Sequence, residues 1–278
     1  MAEDRVTCEV CWRRCAIPEG GHGFCRARTV RDGRVVAANY GRVTSLALDP
    51  IEKKPLAYFY PGTVILSVGS YGCNMACPFC QNHEIARDAG AERRVRDVSP
   101  EALVDLALNF RDRGNIGIAF TYNEPLVGYE YVRDAATLAR RAGLETVVVT
   151  NGQIEDAPLS ELLPVITAWN IDLKTFNDTT YARLGGRLDV VKRTIARASE
   201  VAHVEVTTLV VPGISDDAED MQKEAAFLRS LDPKMPLHLT RYFPCYEFDR
   251  PMTPRTTLFA LAAIARRSLD RVLLGNVY

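Results

Sequence analysis

Residues 64–82 read VILSVGSYGCNMACPFCQN, an apolar run rich in β-branched residues followed by three cysteines. The thiols of Cys73, Cys77 and Cys80 are spaced C-x3-C-x2-C, which is one thiol short of a closed metal site. A structural zinc ion or an ordinary iron–sulfur cluster takes four protein ligands. A tight loop with three thiols therefore indicates a cluster that keeps one iron open for another ligand.

The bulk composition is that of an ordinary globular chain. Its 278 residues are 47% hydrophobic and 25% charged, with a formal net charge of -1, which suits one large α/β core. The balanced charge does not provide the excess of positive charge that is typical of proteins that bind nucleic acid. The first residues lack the features of a signal peptide, and no apolar run approaches the roughly 18 residues that span a bilayer. We therefore predict a cytoplasmic protein that binds neither nucleic acid nor membranes.

Seven of the eight cysteines fall into two groups, which in a reducing compartment favours metal sites over disulfides. The N-terminal group consists of Cys8, Cys11, Cys15 and Cys25. Intervening glycines let the backbone turn tightly around a tetrahedral ion or a cube of iron and sulfide. The spacing alone does not choose between a structural zinc ion and a second iron–sulfur cluster. We predict that His22 is a surface residue and that Cys245 is an ordinary, partly buried thiol.

The segment between the two cysteine groups combines short β-like runs with turns. Residues 31–34, Arg-Asp-Gly-Arg, predict a type I′ hairpin turn between apolar flanks. Residues 49–55 read DPIEKKP, in which two prolines discourage a helix and the charges suit a solvated face. This composition predicts a surface loop. We take residues 1–62 as a cysteine-rich, metal-binding extension with short β runs, and residues 63–278 as the core domain.

From residue 64 onward, short β-branched runs alternate with longer amphipathic segments. The runs lie at 64–69, 116–120, 146–149, 169–173, 203–211 and 237–242. This alternation predicts parallel strands joined by helices, with Ser99 and Asp217 among the helix N-caps. Six βα units are fewer than the eight of a closed barrel, so we predict a partial (βα)6 TIM-like barrel, with residues 271–276 as an additional strand. Ligands of such folds gather beyond the carboxyl ends of the strands, where the three-cysteine loop lies.

Polar residues of a single parity recur in three of these strands. They are Asn170, Asp172, Lys174, Glu205, Thr207, His238 and Thr240. Because helices cover the outer face of a parallel sheet, a solvated outer face does not explain this alternation. We predict that these polar side chains face a ligand-filled lumen.

Two further polar residues follow the ends of predicted strands. Glu124 lies in the run FTYNEP of residues 120–125, and Asn151 lies in the run VTNG of residues 149–152. Taken alone, Glu124 is typical of a turn acid. Beside a three-thiol loop, a carboxylate and an amide at the mouth of a sheet become candidates for binding a cofactor.

The cysteine loop, with aromatic Phe79 before its last cysteine, resembles the cluster loop of the radical S-adenosylmethionine (SAM) enzymes. Within that superfamily the chain resembles the group related to pyruvate formate-lyase activating enzyme, and above all the AmmeMemoRadiSam radical SAM proteins. The supporting segments are the N-terminal cysteine set and residues 49–55, 120–125, 172–174, 211–213, 241–244 and 274–277. The resemblance spans most of the chain.

The resemblance implies a mechanism and its cofactors. Cys73, Cys77 and Cys80 are expected to hold a [4Fe-4S] cluster whose fourth iron binds the amino and carboxylate groups of SAM. One-electron reduction then cleaves SAM to methionine and a 5′-deoxyadenosyl radical, which takes a hydrogen atom from a substrate. A one-electron donor of the flavodoxin or ferredoxin type is an expected partner. A protein substrate and the AmmeMemoRadiSam partner proteins are further expected partners.

The resemblance also implies residues that bind SAM. Tyr122, Asn123 and Glu124 stand where the family has Gly-Gly-Glu, and the Glu124 carboxylate suits the SAM amino group. Tyr122 and Asn123 replace the two glycines, so the backbone approaches SAM differently here. Lys174 suits the SAM carboxylate and Asp172 its positioning, with a structural ion pair as the alternative. The remaining candidates are Phe79, Asn151 and His238.

Two classes of function remain open from the sequence. The first is a radical SAM enzyme, an oxidoreductase like the glycyl-radical activating enzymes, whose substrate is a protein glycine, a small molecule or a peptide. The second is a metal-stabilised iron–sulfur module for electron transfer or protein binding that does not cleave SAM. The open coordination position and the polar lumen favour the enzyme.

Overall fold

The computed structural model describes residues 5–87 and 95–277. Its first part consists of short antiparallel pairs. Strand β1 (Arg5–Thr7) pairs with β2 (Ala16–Pro18), and β3 (Arg28–Arg31) pairs with β4 (Arg34–Ala37). Asp32 and Gly33 join β3 to β4 with φ angles of 52° and 67°, the left-handed conformation that a type I′ turn requires. The predicted hairpin turn is confirmed.

One eight-stranded sheet organises the rest of the chain. Its strands are β6 (Ser45–Pro50), β7 (Val64–Gly69), β9 (Asn115–Phe120), β10 (Glu145–Thr150), β11 (Ala168–Asp172), β12 (His203–Val210), β13 (Leu237–Arg241) and β14 (Val272–Gly275). A separate small pair is formed by β5 (Arg42–Val43) and β8 (Arg96–Asp97). The sheet order is β14-β13-β12-β11-β10-β9-β7-β6, in which β6 is antiparallel to β7 and the other neighbours are parallel. The six predicted strands, the additional C-terminal strand and the partial barrel are confirmed.

Helices connect the parallel strands. They are α1 (His83–Ala86), α2 (Pro100–Asn109), α3 (Tyr129–Arg141), α4 (Asp156–Leu162), α5 (Asp178–Arg183), α6 (Leu188–Ser199), α7 (Ala218–Leu231) and α8 (Arg255–Ala265). Helix α2 begins after the predicted N-cap Ser99, whose Oγ accepts a hydrogen bond from the Ala102 amide. Helix α7 begins after Asp217, whose carboxylate accepts from the amides of the next turn. In the part of the chain that the structure describes, no helix is both long enough and apolar enough to cross a membrane.

The two faces of the sheet differ in polarity, as the alternation predicted. Val206 and Leu239 are fully buried in the apolar core beneath the helices. Asp172, Thr207 and Thr240 lie on the opposite face and line a cavity. The apolar face holds the helices on the sheet, so the polar face is available to a ligand.

The prediction of a surface loop at residues 49–55 is wrong. The turn after β6 buries Ile51 and Lys54, which are 0% and 3% exposed. Lys54 Nζ lies 2.8 Å from Asp49 Oδ2, and the Tyr122 hydroxyl donates to the same oxygen at 2.7 Å. The composition suggested solvated charges, but a carboxylate partner makes the burial of Lys54 possible.

Strand β6 lies before the predicted domain boundary at residue 62, yet it pairs with β7 along its whole length. The N-terminal segment therefore supplies an edge strand to the main sheet. The division of the chain into residues 1–62 and 63–278 stays a prediction.

Candidate active site and metal centres

A cavity of about 790 Å³ opens beyond the carboxyl ends of the parallel strands. The loop after β7 brings Cys73, Cys77 and Cys80 to its wall. The other predicted site residues that line the cavity are Phe79, Asn123, Glu124, Asn151, Asp172, Lys174 and His238. The structure thus brings together all the residues that were predicted for the three-cysteine site.

The three-cysteine loop is fixed by close backbone contacts and by one asparagine. Gly72 has a φ of +94°, and a Cβ there would lie 2.5 Å from the Cys25 carbonyl oxygen. The Gly72 amide donates to the Ile85 carbonyl at 2.9 Å. Asn123 accepts from the Ser70 amide at 3.0 Å and donates to the Gly72 carbonyl at 3.2 Å. The Asn123 side chain therefore orients the loop that carries the cysteines.

The thiols of this loop lie in surroundings that disfavour a free charge. Burial raises the pKa of Cys73 well above its usual range and raises the pKa of Cys77 to about 11. A coordinated metal cation removes the proton from such a thiol. The Met75 amide donates to Cys73 Sγ at 3.4 Å, and Asn151 Nδ2 donates to it at 3.6 Å. Donors that stabilise a ligating thiolate are therefore in place, and the donor set fits a [4Fe-4S] cluster.

Glu124 follows β9 and is 3% exposed. Its Oε1 accepts from Thr150 Oγ1 at 2.6 Å and from the Leu126 amide at 3.0 Å, and its Oε2 accepts from the Asn151 amide at 2.7 Å. Burial raises the pKa of Glu124 to about 7, although these hydrogen bonds act in the opposite direction. A carboxylate accepts at about four positions. One position thus remains for a cationic group in the cavity.

The end of β11 places an ion pair at the cavity wall. Lys174 Nζ lies 2.7 Å from Asp172 Oδ2. Burial alone would lower the pKa of Lys174, but the Asp172 carboxylate beside it raises the pKa above its usual value. Lys174 therefore stays charged and offers the cavity a group that binds anions.

Glu205 is fully buried on β12 and joins several parts of the cavity floor. Its carboxylate accepts from the amides of Ala57 and Tyr58 at 3.0 and 2.8 Å, and from Nε2 of His203 and His238 at 2.9 and 2.6 Å. Burial alone would raise the pKa of Glu205, but these hydrogen bonds lower it to about 2. Because the ionised carboxylate only accepts, His238 Nε2 carries a hydrogen. His238 Nδ1 is then the ring nitrogen that is left for a ligand.

The N-terminal cysteines meet at a second, much smaller cavity of about 10 Å³. It is lined by Cys8, Cys11, Cys15 and Cys25 together with Arg13, Arg28 and Asn74. Burial raises the pKa of Cys11 to about 11 and that of Cys25 to about 12. Within residues 5–87 and 95–277, no three His, Cys, Asp or Glu side chains are grouped in a way that could hold a single metal ion. His22 is exposed, as predicted.

Some cavity residues were not predicted from the sequence. Glu52 and Lys53 reach the cavity from the turn after β6, and Arg87 reaches it from the end of α1. The prolines and charges of residues 49–55 were visible, but their composition predicted solvent. Cys245 is partly buried, as predicted, and it also lies against the three-cysteine loop, where its thiol donates to the Cys80 carbonyl at 3.7 Å.

An open, parallel α/β barrel with three thiols at its mouth and charged groups in its lumen defines a class of cluster-binding enzymes. Residues 67–225 match the radical SAM superfamily. This chain belongs to the radical SAM superfamily, and it has the fold of that superfamily, which implies an enzyme with a [4Fe-4S] cluster and SAM.

Comparison with individual proteins gives the same family. The chain is 40% identical over its whole length to the uncharacterized protein MJ0808 of Methanocaldococcus jannaschii and covers 83% of that protein. It is 29% identical to the pyruvate formate-lyase 1-activating enzyme of Escherichia coli K12, over 62% of this chain and 71% of that enzyme. The likeness to the Escherichia coli enzyme confirms the predicted relation to pyruvate formate-lyase activating enzymes.

Solved structures share the fold. Streptococcus suis SuiB bound to S-adenosylmethionine superposes with a TM-score of 0.59 at 15% identity, over 77% of this chain and 51% of that chain. A domain of the pyruvate-formate lyase-activating enzyme from Bacteroides vulgatus superposes with a TM-score of 0.50 at 20% identity, over 58% of this chain and 99% of that chain. Both confirm the partial barrel of the radical SAM type.

Proposed function

We propose that this protein cleaves SAM reductively and acts on its substrate by hydrogen abstraction, as a glycyl-radical activating enzyme does. When bound by Cys73, Cys77 and Cys80, the cluster supplies the electron that splits SAM into methionine and a 5′-deoxyadenosyl radical. The observation that carries the proposal is the placement of these thiols in one cavity with Glu124 and Lys174. The amino acid part of SAM carries one ammonium and one carboxylate, and the two side chains have the matching charges.

The contacts of the cavity residues suggest a role for each. Glu124 has one acceptor position left for the SAM ammonium. Lys174, held by Asp172 at 2.7 Å, binds the SAM carboxylate. Asn151 donates toward Cys73 Sγ and so supports the cluster ligand. Two further candidates are Phe79, whose ring contacts that of Phe248, and His238, whose Nδ1 is left for a ligand because Nε2 is bound to Glu205.

A protein substrate is the class we favour. The Escherichia coli relative is named for activating pyruvate formate-lyase, and its similarity extends over 62% of this chain. The cavity of about 790 Å³ is at the upper end of the range for small-molecule pockets, about 300 to 1,000 Å³. We propose that SAM and a residue of a second molecule share this cavity. A one-electron donor of flavodoxin or ferredoxin type completes the reaction, and the AmmeMemoRadiSam proteins are the proposed partners.

SAM cleavage tests the proposal directly. The purified protein is reconstituted with iron and sulfide without oxygen, then mixed with dithionite and SAM, and 5′-deoxyadenosine is measured by chromatography. We expect release of 5′-deoxyadenosine by the wild type and its loss in Cys77→Ala. Cys245→Ala is the matched control, because it removes a thiol that touches the same loop without removing a proposed ligand.

A different result identifies the other class of function. If the reconstituted wild type shows a reducible cluster but forms no 5′-deoxyadenosine, the protein is an electron-transfer or protein-binding module. Cleavage that persists in Cys77→Ala would also contradict the assignment of the ligands.

A further inference from the structure

The N-terminal cysteines form a site of their own, outside the cavity described above. We propose that Cys8, Cys11, Cys15 and Cys25 hold a second iron–sulfur cluster, which receives an electron from a donor protein and passes it to the cluster at the three-cysteine loop. The electron-transfer role rests on the proposed function, whereas the identity of the bound metal does not.

The space between the four cysteines distinguishes an iron–sulfur cluster from a zinc ion as the group that they hold. A zinc ion holds its thiolate sulfurs at about 2.3 Å, so four of them lie close together and leave no room for a water-sized sphere. The four cysteines here line a cavity of about 10 Å³, which is close to the space that one water molecule occupies. An iron–sulfur core separates its thiolate ligands because the iron and sulfide atoms lie between them. The arrangement therefore suits a cluster better than a single ion.

Arg28 is an independent indication that an anionic group belongs there. It lines the small cavity and is only 4% exposed. Its Nη1 pairs with Glu130 Oε2 at 2.7 Å and donates to the Val127 carbonyl at 3.4 Å. Its Nε–H is buried and has no hydrogen-bond acceptor among the residues that the structure describes. A buried donor without an acceptor is costly, and a sulfide or thiolate of an anionic cluster is the acceptor that would satisfy it.

The two cysteine sets are in contact through the three-cysteine loop. Asn74 lies between Cys73 and Cys77 in the sequence and lines the small cavity together with Cys11. Arg13, which also lines that cavity, donates from Nε to the Asn74 carbonyl at 2.7 Å. Asn74 therefore lies between the two cysteine sets, and the proposed electron path runs through this contact.

The electron balance of the step is simple. A low-potential donor of flavodoxin or ferredoxin type loses one electron, and the N-terminal cluster gains it. The N-terminal cluster then returns to its oxidised state as the cluster at Cys73, Cys77 and Cys80 is reduced by the same electron. No atom is transferred and no other reductant is needed.

Metal analysis tests the identity of the site without any assay of SAM cleavage. The variant Cys73→Ala/Cys77→Ala/Cys80→Ala is reconstituted without oxygen in the presence of both iron and zinc, beside the wild type. We expect about eight iron atoms in the wild type and about four in the variant, both without stoichiometric zinc. One zinc per chain in the variant, or no metal, overturns the proposal.

If the variant does not fold, electron paramagnetic resonance of the reduced wild type decides. Two cluster signals, of which only one changes when SAM is added, support the proposal. A single cluster signal overturns it.

Arg28 offers a sharper test of the same site. In Arg28→Met the Nε–H donor and the ion pair with Glu130 are both lost, whereas in Glu130→Gln only the ion pair is lost. Hydrogen bonds and nearby positive charge favour the reduced, more negative cluster. We expect the midpoint potential of the SAM-insensitive signal to become more negative in Arg28→Met and to rise or stay constant in Glu130→Gln. A negative shift of equal size in both variants would overturn the assigned contact.

The electron-transfer role has its own readout. In the variant Cys8→Ala/Cys11→Ala/Cys15→Ala/Cys25→Ala we expect 5′-deoxyadenosine formation driven by a reduced donor protein to fall more than tenfold, while formation driven by dithionite falls much less. Equal rates with the donor protein in wild type and variant would overturn the role. Absence of cleavage by the wild type with dithionite would instead overturn the proposed function, so the two failures are distinguishable.

If the variant does not fold, rapid mixing of the wild type with a reduced donor protein decides. We expect the cluster whose signal is insensitive to SAM to be reduced first. The reverse order of reduction would overturn the role.

Discussion

Glu124 is held in position by the end of the neighbouring strand β10 and by the turn that follows Glu124 itself. Its three hydrogen bonds come from Thr150, the Asn151 amide and the Leu126 amide, so its carboxylate is fixed before any ligand arrives. A fixed carboxylate loses little conformational freedom when a cation binds, and in a buried setting its charge is weakly screened. For this reason we expect Glu124 to dominate recognition of the SAM ammonium.

The substitution Glu124→Gln tests this expectation. It keeps the shape of the side chain but removes the charge, and a hydrogen bond to a charged group is worth about 1.5 to 3 kcal/mol. We therefore expect SAM to bind about 10- to 100-fold more weakly, measured as the SAM concentration that gives half-maximal 5′-deoxyadenosine. Glu200→Gln on the exposed end of α6 is the control and should behave like the wild type. Unchanged SAM affinity in Glu124→Gln would exclude the proposed contact.

The residues of the cavity could be predicted more fully than their partners. The alternation of polar residues placed Asp172 and His238 in the lumen, because side-chain direction in a strand follows from parity. The buried Glu205 that holds His238 was also placed in the lumen, but its contacts with Ala57 and Tyr58 depend on a segment that is distant in sequence. Such long-range contacts leave no periodic signal.

At the level of elements, the three-cysteine loop and the N-terminal cysteine segment depend on each other. Gly72 packs so closely on the Cys25 carbonyl that a side chain is excluded. Arg13 donates to the carbonyls of Asn74 and Gly185 at 2.7 and 3.0 Å, and so joins the N-terminal segment to the barrel. The backbone of each cysteine segment therefore helps to position the other.

Gly72→Ala tests the dependence between these two elements. The new Cβ would lie 2.5 Å from the Cys25 carbonyl oxygen, and the residue has a φ of +94°. Gly62→Ala is a matched control, since Gly62 has a φ of +80° but nothing within 4 Å of its added Cβ. The unfavourable φ alone costs about 1 to 2 kcal/mol, so both variants should be less stable than the wild type. We expect only Gly72→Ala to lose iron from both cysteine sets, measured as iron per chain after reconstitution, and equal iron in the two variants would contradict the coupling.

The elements of the barrel were predictable and the edge strand was not. The β-branched runs and the right-handed crossover rule determine parallel strands in consecutive order. Strand β6 is antiparallel, and its last two residues belong to the segment 49–55, whose prolines and charges favoured a loop. Its pairing with β7 and the burial of Lys54 beside Asp49 depend on contacts between segments, which composition does not report.

On the scale of the whole molecule, the buried acid Glu224 lies away from the ligand cavity. Glu224 on α7 is 1% exposed and packs against β12. Thr208 Oγ1 lies 2.5 Å from Glu224 Oε1 and also donates to the Leu173 carbonyl at 3.0 Å. One hydroxyl hydrogen cannot serve both acceptors, so a protonated Glu224 that donates to Thr208 Oγ1 satisfies the geometry. Burial raises the pKa of Glu224 to about 8, in agreement with the protonated form.

This acid makes the stability of the fold depend on pH. The unfolded chain releases the Glu224 proton near pH 4.3, while the folded chain keeps it up to about pH 8. The folded state therefore binds more protons in this range, and its stability decreases as the pH rises from about 4.5 to 8. Glu224→Gln keeps a donor for Thr208 but does not titrate.

We expect Glu224→Gln to remove this part of the pH dependence. Relative to the wild type, the variant should gain at least about 1 kcal/mol of unfolding free energy between pH 5 and pH 8. Urea unfolding of both proteins, reconstituted alike and kept without oxygen, measures the difference. Glu219→Gln on the exposed face of the same helix is the control, and its stability should follow that of the wild type at both pH values. If the free energies of unfolding of Glu224→Gln and wild type differ by the same amount at pH 5 and at pH 8, folded Glu224 is ionised. Thr208 would then donate to Glu224, and the Leu173 carbonyl would lose its hydrogen bond from Thr208.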